Sequence, residues 1–136
     1  MMILRLKAQH VALLRKESGR TYPTEACALL FGHIDRAEAV IGRVVLVPNR
    51  LRSASRFEID PEIFVRHNEK AEADGMSFLG LFHSHPAPAT PSLTDVKFMR
   101  LWGSAVWLLL STVSDQMAAY QINEGRLSPV TIVVDD

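Results

Sequence analysis

Two histidines separated by one residue, His83 and His85, follow an apolar run at residues 78–82. If that run is a β-strand, successive side chains alternate sides, so both imidazoles project from the same face and Ser84 points away from them. Two imidazoles placed in this way can hold one metal ion. The spacing therefore indicates a metal site at the end of a strand.

A carboxylate follows the histidines after a proline-containing turn. The turn occupies residues 86–91, Ser92 comes next, and Asp95 stands three residues further along. Two neutral histidines and one carboxylate leave the fourth tetrahedral position of zinc open for water, which is typical of catalytic sites. The alternative is that Ser92 caps a helix and Asp95 is the acidic third residue of that helix. A carboxylate turned back to the cap is not expected to bind metal as well, and we favour the ligand role.

The order of these residues resembles that of the JAMM (MPN+) zinc metalloproteases. The motif His-Ser-His-Pro at residues 83–86 precedes Ser-x-x-Asp at residues 92–95, as in that family. Residues 23–32 resemble the early segment that carries the family's catalytic glutamate, and residues 48–49 and 56–61 are also similar. The resemblance covers residues 21–112, although the turn at residues 86–91 is one residue shorter than is usual in the family.

The resemblance implies a role for each residue. His83, His85 and Asp95 would bind one Zn²⁺ per chain, Glu25 would be the acid and base, and Ser92 would donate a hydrogen bond to the oxyanion. The implied reaction is hydrolysis of a peptide or isopeptide bond by Glu-assisted attack of zinc-bound water. Without long insertions around the cleft, the chain looks like the compact prokaryotic branch. The implied substrate is the C-terminal tail of a ubiquitin-like or sulfur-carrier protein.

Each of these residues also has a simpler interpretation. Glu25 could be a surface carboxylate at the start of a strand, and Ser92 could serve only as the helix cap, since one hydroxyl is not expected to fill both roles. The loop at residues 48–55 reads as a solvated connection, which the resemblance places near the cleft. Cys27 is expected to be a small buried hydrophobe. The remaining histidines are expected to be solvated or satisfied by neighbours: His10, His33 and His67.

Two other functions compete with the peptidase. A non-catalytic MPN interaction or scaffold domain would lack part of the ligand set that this chain retains. RadC-like proteins share the His-x-His-Pro and Ser-x-x-Asp pattern, but they usually carry asparagine where this chain has Ser84. We therefore favour the zinc metallopeptidase.

Composition narrows the class of protein further. The chain has 136 residues, of which 48% are hydrophobic, and its formal net charge is zero. A single domain over residues 1–136 is expected. The neutral balance favours no nucleic-acid partner, the short apolar runs favour no membrane partner, and one cysteine favours a cytoplasmic location. A homodimer is left open.

Periodicity and turn signals predict strands interleaved with helices. Strands are expected at residues 2–6, 25–34, 39–47, 57–59, 76–83, 104–112, 116–122 and 127–134. Helices are expected at residues 8–18, 61–73 and 92–102. The order predicts an α/β protein of the α+β type, with a mixed, largely antiparallel sheet flanked by about three helices. The resemblance implies that this is the cytidine-deaminase-like MPN fold.

Overall fold

The computed structural model describes residues 2–136. Seven strands and three helices are assigned within that range. In chain order they are β1 (Ile3–Lys7), α1 (Ala8–Thr21), β2 (Cys27–Asp35), β3 (Glu38–Val47), α2 (Pro61–Ala73), β4 (Ser77–His85), α3 (Leu93–Leu101), β5 (Val106–Ser111), β6 (Met117–Asn123) and β7 (Arg126–Asp135). The predicted mixture of strands with about three helices is confirmed.

The strands form one mixed sheet that closes into a barrel in the order β1-β3-β2-β4-β5-β6-β7. The pairs β2–β3, β2–β4, β5–β6 and β6–β7 are antiparallel. Strand β1 pairs in parallel with β3 and β7, and β4 pairs in parallel with β5. Because a parallel pair needs a crossover, helix α3 must cross between β4 and β5, and this brings its first turn to the end of β4.

The sheet is apolar on both faces, and a hydrophobic cluster covers each face. Leu30 of β2 belongs to the cluster that contains Leu14 of α1. Its neighbour Leu29 belongs to the cluster that contains Ala71 of α2 and Met99 of α3. Burial on both faces explains why β2 reads as a nearly continuous apolar run in the sequence.

Strand β4 carries the two histidines between β2 and β5. Leu81 packs in the cluster on the α2 and α3 side, so the alternation of the strand turns His83 and His85 to that side too. Gly80 allows β5 to approach, because a Cβ atom at this position would lie 2.1 Å from the carbonyl oxygen of Val106. A larger residue there would push the two strands apart.

The short strand predicted at residues 57–59 is wrong, because this segment pairs with a loop instead of a strand. The N–H of Glu58 donates to the side-chain oxygen of Asn49 at 3.2 Å. The Glu58 carbonyl accepts from the N–H of Arg50 at 2.8 Å. Residues 57–59 therefore bond to residues 49–50 of the loop that precedes them and join no sheet.

Three predicted boundaries also differ. Helix α1 continues through Gly19 to its end at Thr21, since one glycine costs a helix only about 1 kcal/mol. Strand β2 begins at Cys27, so Glu25 precedes it. Strand β4 extends beyond the predicted end to His85, because its ladder with β5 continues to that residue.

Other local signals are confirmed. Asp60 caps α2 by accepting from the N–H of Glu62 at 2.9 Å, with Pro61 as the first helical residue. The turn between β6 and β7 has positive φ at both Glu124 (52°) and Gly125 (78°), as a tight hairpin requires. Within residues 2–136, we find no helix of the length and hydropathy that crossing a membrane requires.

Candidate metal centre

Four of the predicted site residues meet at the C-terminal end of β4. They come from three parts of the chain, namely the segment before β2, the end of β4 and the first turn of α3. All four side chains are buried in the folded chain: Glu25, His83, His85 and Asp95. The fold thus collects imidazoles and carboxylates that are far apart in the sequence.

The two histidines face one another across the end of the strand. Their Nε2 atoms are 2.9 Å apart. Ser84 points to the opposite side, where its Oγ accepts a hydrogen bond from the N–H of Ala26 at 2.8 Å. The predicted alternation of the strand is therefore what the backbone shows.

Asp95 directs one carboxylate oxygen towards each histidine. Oδ1 is 3.4 Å from Nε2 of His83, and Oδ2 is 3.0 Å from Nε2 of His85. Oδ2 also accepts from the N–H of Ser92 at 2.8 Å. Asp95 is therefore turned back to the cap, as the alternative interpretation predicted, and still faces both histidines, because a carboxylate has about four lone-pair positions and the cap occupies one.

Ser92 is the N-cap of α3, as the alternative interpretation predicted. Its Oγ accepts a hydrogen bond from the N–H of Asp95 at 3.1 Å. That bond uses a lone pair and leaves the hydroxyl proton free to donate elsewhere. The predicted cap is therefore confirmed, and a donating role for the Ser92 hydroxyl stays a prediction.

Glu25 is buried, so its interpretation as a surface carboxylate is wrong. Its N–H donates to the carbonyl of Ser53 at 2.8 Å, and its carbonyl accepts from the side-chain amide of Asn49 at 3.2 Å. Its Oε1 lies 3.9 Å from Nε2 of His83 and has no hydrogen-bond partner within residues 2–136. The backbone of Glu25 is thus held firmly while its carboxylate faces the histidines.

Burial and partners move the pKa values of these groups in different directions. Burial raises the pKa of Glu25 to about 8. Burial would also raise the pKa of Asp95, but hydrogen bonds with His83 and His85 outweigh it and hold that pKa below its usual range. Burial lowers the pKa of His83, whereas the Asp95 carboxylate outweighs burial and raises that of His85. The lowered pKa values favour a neutral His83 and an ionised Asp95, which are the forms that can bind a metal, whereas a metal would have to displace the proton that the raised pKa of His85 favours.

The distances in this cluster fit a tetrahedral zinc ion. Zinc bonds of about 2.0–2.1 Å place the ligand atoms roughly 3.3 Å from one another. The His83–His85, His85–Asp95 and His83–Asp95 distances are 2.9, 3.0 and 3.4 Å. Glu25 also groups with the two histidines within 4.8 Å, but its oxygen is 3.9 Å from His83. Asp95 is therefore the carboxylate that lies closer to His83.

Two aromatic rings hold the imidazole of His83. The Phe57 ring stacks on it with centroids 4.5 Å apart and planes at 24°, and Trp107 meets it edge-on at 5.6 Å. Sequence reasoning assigned no role to either residue. Phe57 lies in the stretch at residues 56–61 that resembles the JAMM family, whereas no sequence signal marks Trp107.

Asn49 organises residues 49–58, which we call the clasp loop. Its side-chain amide donates to three carbonyls, and its side-chain oxygen accepts two backbone N–H groups. The carbonyls belong to Glu25 (3.2 Å), Ser53 (3.4 Å) and Arg56 (3.0 Å), and the N–H groups to Leu51 (3.1 Å) and Glu58 (3.2 Å). The loop is largely exposed, as the interpretation as a solvated connection predicted, and it also forms a hydrogen-bonded wall beside Glu25.

A cleft of about 530 Å³ opens onto the candidate metal centre. The clasp loop forms one wall through Ala54 and Ser55, and residues 86–91, which we call the proline turn, form the other. Glu25, His85 and Ser92 also line this cleft. A ligand in the cleft would therefore contact both walls and the cluster together.

The remaining histidines and the cysteine take no part in this cluster. His10 accepts from the N–H of Lys7 at 3.4 Å, and His33 is exposed. Cys27 is buried opposite His83 in the β2–β4 ladder, and burial raises the pKa of its thiol. A thiol that stays protonated supports its interpretation as a small buried hydrophobe.

The mixed α/β fold, with histidines and carboxylates gathered at one strand end, is that of a JAB domain. A sequence model of the prokaryotic homologues of the JAB domain matches residues 7–123. The chain therefore belongs to this prokaryotic JAB family, which confirms the resemblance drawn from its motifs.

Individual proteins in the comparison agree with this assignment. The chain is 35% identical to the desampylase of Pyrococcus furiosus over 112 residues, which cover 82% of this chain and 76% of the relative. It is 30% identical to the desampylase of Haloferax volcanii over 115 residues, covering 83% and 80%. A solution structure of a protein from Desulfitobacterium hafniense superposes with a TM-score of 0.89 at 25% identity, covering 98% of this chain and 94% of the other.

Proposed function

We propose that the protein is a zinc-dependent isopeptidase that cleaves at the C-terminal tail of a ubiquitin-like or sulfur-carrier protein. The observation that carries the proposal is the cluster itself, in which Asp95 contacts both histidines and Glu25 stands slightly further away. Membership of the JAB family and two relatives named desampylase support a hydrolase that removes protein modifiers.

In this proposal His83, His85 and Asp95 hold the zinc ion. When bound, zinc lowers the pKa of a coordinated water to about 7 and so supplies a nucleophile near neutral pH. Phe57 keeps the His83 ring in position by stacking on it. The capping bond from the Ser92 N–H fixes Asp95 in the first turn of α3.

Glu25 moves the proton. Its Oε1 is buried and unpartnered within residues 2–136, so it is free to accept a proton from the attacking water. In the metal-free protein, burial raises its pKa to about 8. A bound Zn²⁺ would lower that pKa, so the carboxylate would be ionised to accept the proton and could then pass it to the leaving amine. Hydrogen bonds to its backbone from the clasp loop keep it facing the histidines.

Ser92 stabilises the developing negative charge on the substrate carbonyl oxygen. Its hydroxyl proton is free of the capping bond, and the residue lines the cleft. Loss of one donor of this kind typically lowers the catalytic rate by about a hundred- to a thousandfold. We therefore assign Ser92 as the oxyanion donor.

The cleft suits an extended tail with small side chains. Ala54 and Ser55 line it on one wall, and Ala87 lines it on the other. An extended backbone can lie between these walls, and glycine next to the scissile bond brings no side chain that could clash with them. A ubiquitin-like tail that ends in glycines matches this shape.

The proposal is tested by metal content and cleavage in the same preparations. We expect wild-type protein to contain one zinc per chain by elemental mass spectrometry and to cleave a ubiquitin-like protein from a lysine side chain. Asp95→Ala should lose both zinc and activity, whereas Glu25→Gln should keep zinc and lose activity. His33→Ala, which changes an exposed histidine, is the control and should alter neither.

Three outcomes would contradict the proposal or one of its assignments. A wild-type protein without zinc would instead favour the non-catalytic scaffold domain. An active Glu25→Gln variant would remove Glu25 from the proton transfer, and stoichiometric zinc in Asp95→Ala would remove Asp95 from the ligand set.

A further inference from the structure

A second cavity, of about 560 Å³, shares Glu25 with the cleft but none of the cleft's other lining residues. The end of α1, the end of β3 and the start of the clasp loop enclose it. We call it the arginine cavity after Arg20 and Arg52, which line it together with Thr21, Thr24 and Asn49. Nothing in the proposed hydrolysis uses these residues apart from the support that Asn49 gives to Glu25.

Of the two arginines that line the cavity, only Arg20 is ion-paired within residues 2–136. Glu17 also lines it, but both of its carboxylate oxygens are bonded to Arg20, at 2.6 and 2.9 Å, so these two charges offset each other. The guanidinium of Arg52 makes no hydrogen bond or ion pair within residues 2–136, and neither does the hydroxyl of Thr24. Arg52 is thus available as a cationic donor, and Thr24 adds a neutral donor to the lining of the same cavity.

The clasp loop holds Arg52 in a conformation that arginine rarely adopts. Its φ is 48°, in the left-handed region that carries an energetic cost for residues with a side chain. The N–H of Arg52 donates to the carbonyl of Asn49 at 3.1 Å, and the Leu51 N–H donates to the Asn49 side chain at 3.1 Å. The same asparagine that supports Glu25 therefore also sets the position of Arg52.

The proposed reaction determines which side of the substrate lies in the cleft and which lies towards the arginine cavity. The scissile carbonyl must lie near Ser92, in the cleft, whereas the leaving nitrogen must come within reach of Glu25 to receive its proton. Glu25 borders both cavities. The part of the substrate beyond the leaving nitrogen is therefore directed past Glu25 towards the arginine cavity.

We propose that the arginine cavity binds a carboxylate on the leaving side of the substrate, with Arg52 as the residue that determines this specificity. The carboxylate is either the α-carboxylate of a single leaving residue or an acidic side chain close to the scissile bond. Arg52 offers the planar fork of donors that matches a carboxylate. This inference rests on the proposed isopeptidase function.

The first experiment compares matched substrates that share a ubiquitin-like tail ending in glycine. Their leaving groups are alanine with a free carboxylate, alanine amide, aspartate amide and asparagine amide. We expect the wild-type kcat/KM to be about five- to twentyfold higher for free alanine than for its amide, or for aspartate amide than for asparagine amide, because the carboxylate gains a charge-assisted hydrogen bond. The pair that shows the preference identifies the source of the carboxylate.

Substitutions in the clasp loop connect that preference to the cavity. For the substrate pair that shows a preference, the ratio of kcat/KM between the charged and the neutral substrate should fall to about one in Arg52→Gln. Arg52→Lys should retain part of this preference, because lysine keeps the positive charge but lacks the planar pair of donors of a guanidinium. Arg50→Gln is the matched control, since Arg50 is an exposed arginine of the same loop that does not line the cavity. It should leave the ratio unchanged.

A binding measurement that needs no hydrolysis separates the cavity from the reaction. Glutarate and its neutral counterpart glutaramide are titrated into the ¹⁵N-labelled protein. If the Thr24 and Arg52 amide signals shift with glutarate and not with glutaramide, and if Arg52→Gln abolishes the shifts, carboxylate binding in the arginine cavity is supported even if no conjugate is cleaved.

Cleavage of all four substrates at equal rates would overturn the carboxylate subsite while leaving the isopeptidase function in place. A preference that persists in Arg52→Gln would also overturn it.

Discussion

The two walls of the cleft are built on different physical principles. The clasp loop is held by one side chain, because Asn49 bonds to five backbone groups in and beside it. The proline turn contains Pro86, Pro88 and Pro91, which have no N–H to donate and whose φ angles are restricted by the ring. One wall therefore depends on a network around one side chain, and the other combines covalent stiffness with separate hydrogen bonds, which the Ala89 and Pro88 carbonyls accept from Tyr120 and Thr90.

Each wall also sets the environment of one carboxylate. Glu25, beside the clasp loop, has an oxygen without a partner within residues 2–136, and burial raises its pKa to about 8. Asp95, which follows the proline turn, bonds to both histidines and to the N–H of Ser92, and its pKa is held low. Two carboxylates at similar depth thus differ in charge state because only one has donors.

The largest predicted effect is on the pH dependence of stability in the metal-free protein, and it arises from the raised pKa of Glu25. Between pH 4.5 and pH 8 the unfolded chain releases the Glu25 proton while the folded chain retains it, so the free energy of unfolding falls as pH rises through this window. Glu25→Gln does not titrate. Metal-free Glu25→Gln should therefore gain stability relative to wild type by roughly 3–5 kcal/mol between pH 5 and pH 8.

Thermal unfolding of both metal-free proteins across this pH range measures the effect. Glu58→Gln, which changes an exposed carboxylate of the clasp loop, is the control and should follow the wild type. The opposite trend, with wild type becoming relatively more stable as pH rises, would mean that Glu25 is ionised in the folded state. Glu25 and Asp95 would then have the same charge state in the folded protein.

The next effect tests whether the clasp loop supports the metal site through Phe57. Phe57→Ala removes the ring stacked on His83 and should lower the free energy of unfolding by about 3 kcal/mol. It should also weaken zinc binding by roughly 10- to 100-fold, as measured by competition with a chelator, because the imidazole loses its orientation.

Phe78→Ala supplies the matched control for that experiment. Phe78 packs against Phe64 and Trp102 instead of His83, so its loss should lower stability without changing zinc affinity. If both variants weaken zinc binding equally, general destabilisation and not ring stacking accounts for the effect.

A smaller effect is expected from the asparagine that holds the clasp loop. Asn49→Ala leaves three carbonyls and two N–H groups without this partner and should cost about 2 kcal/mol of unfolding free energy. Zinc content should be unchanged while kcat falls, because Glu25 loses a backbone support and no proposed ligand is touched. Asn68→Ala, at an α2 asparagine bonded to Glu72, should cost less than about 0.5 kcal/mol. Loss of zinc in Asn49→Ala would show that the loop also positions the ligands.

Local sequence patterns predicted the features that depend on residues close to one another in the chain. Alternation along β4 places His83 and His85 on one face, and the Asp60-Pro61 pair marks the start of α2. The Ser92-x-x-Asp95 pattern predicted a helix cap as the alternative to a metal ligand, and the structure has that cap with Asp95 still facing both histidines. Sequence reasoning treated the two roles as mutually exclusive. That exclusion ignored the number of lone pairs on a carboxylate and a hydroxyl.

Features that depend on distant contacts could not be predicted in this way. Closure of the barrel requires β1 to pair with both β3 and β7. The stacking of Phe57 on His83 joins a loop to a strand that follows a whole helix later. The false strand at residues 57–59 arose for the same reason, since an extended apolar stretch reads as a strand until its partner, the side chain of Asn49, is known.

The smallest effect is expected in the proline turn. One glycine inserted between Ala87 and Pro88 should change the free energy of unfolding by less than about 1 kcal/mol, because lengthening a surface loop by one residue costs little. Zinc content should stay at one per chain, since the cap at Ser92 and not the turn positions Asp95. The matched insertion of one glycine between Arg52 and Ser53 interrupts the Asn49 network and should cost about 2 kcal/mol. If the proline-turn insertion instead releases zinc, the short turn itself places Asp95, and both walls are then equally intolerant of added length.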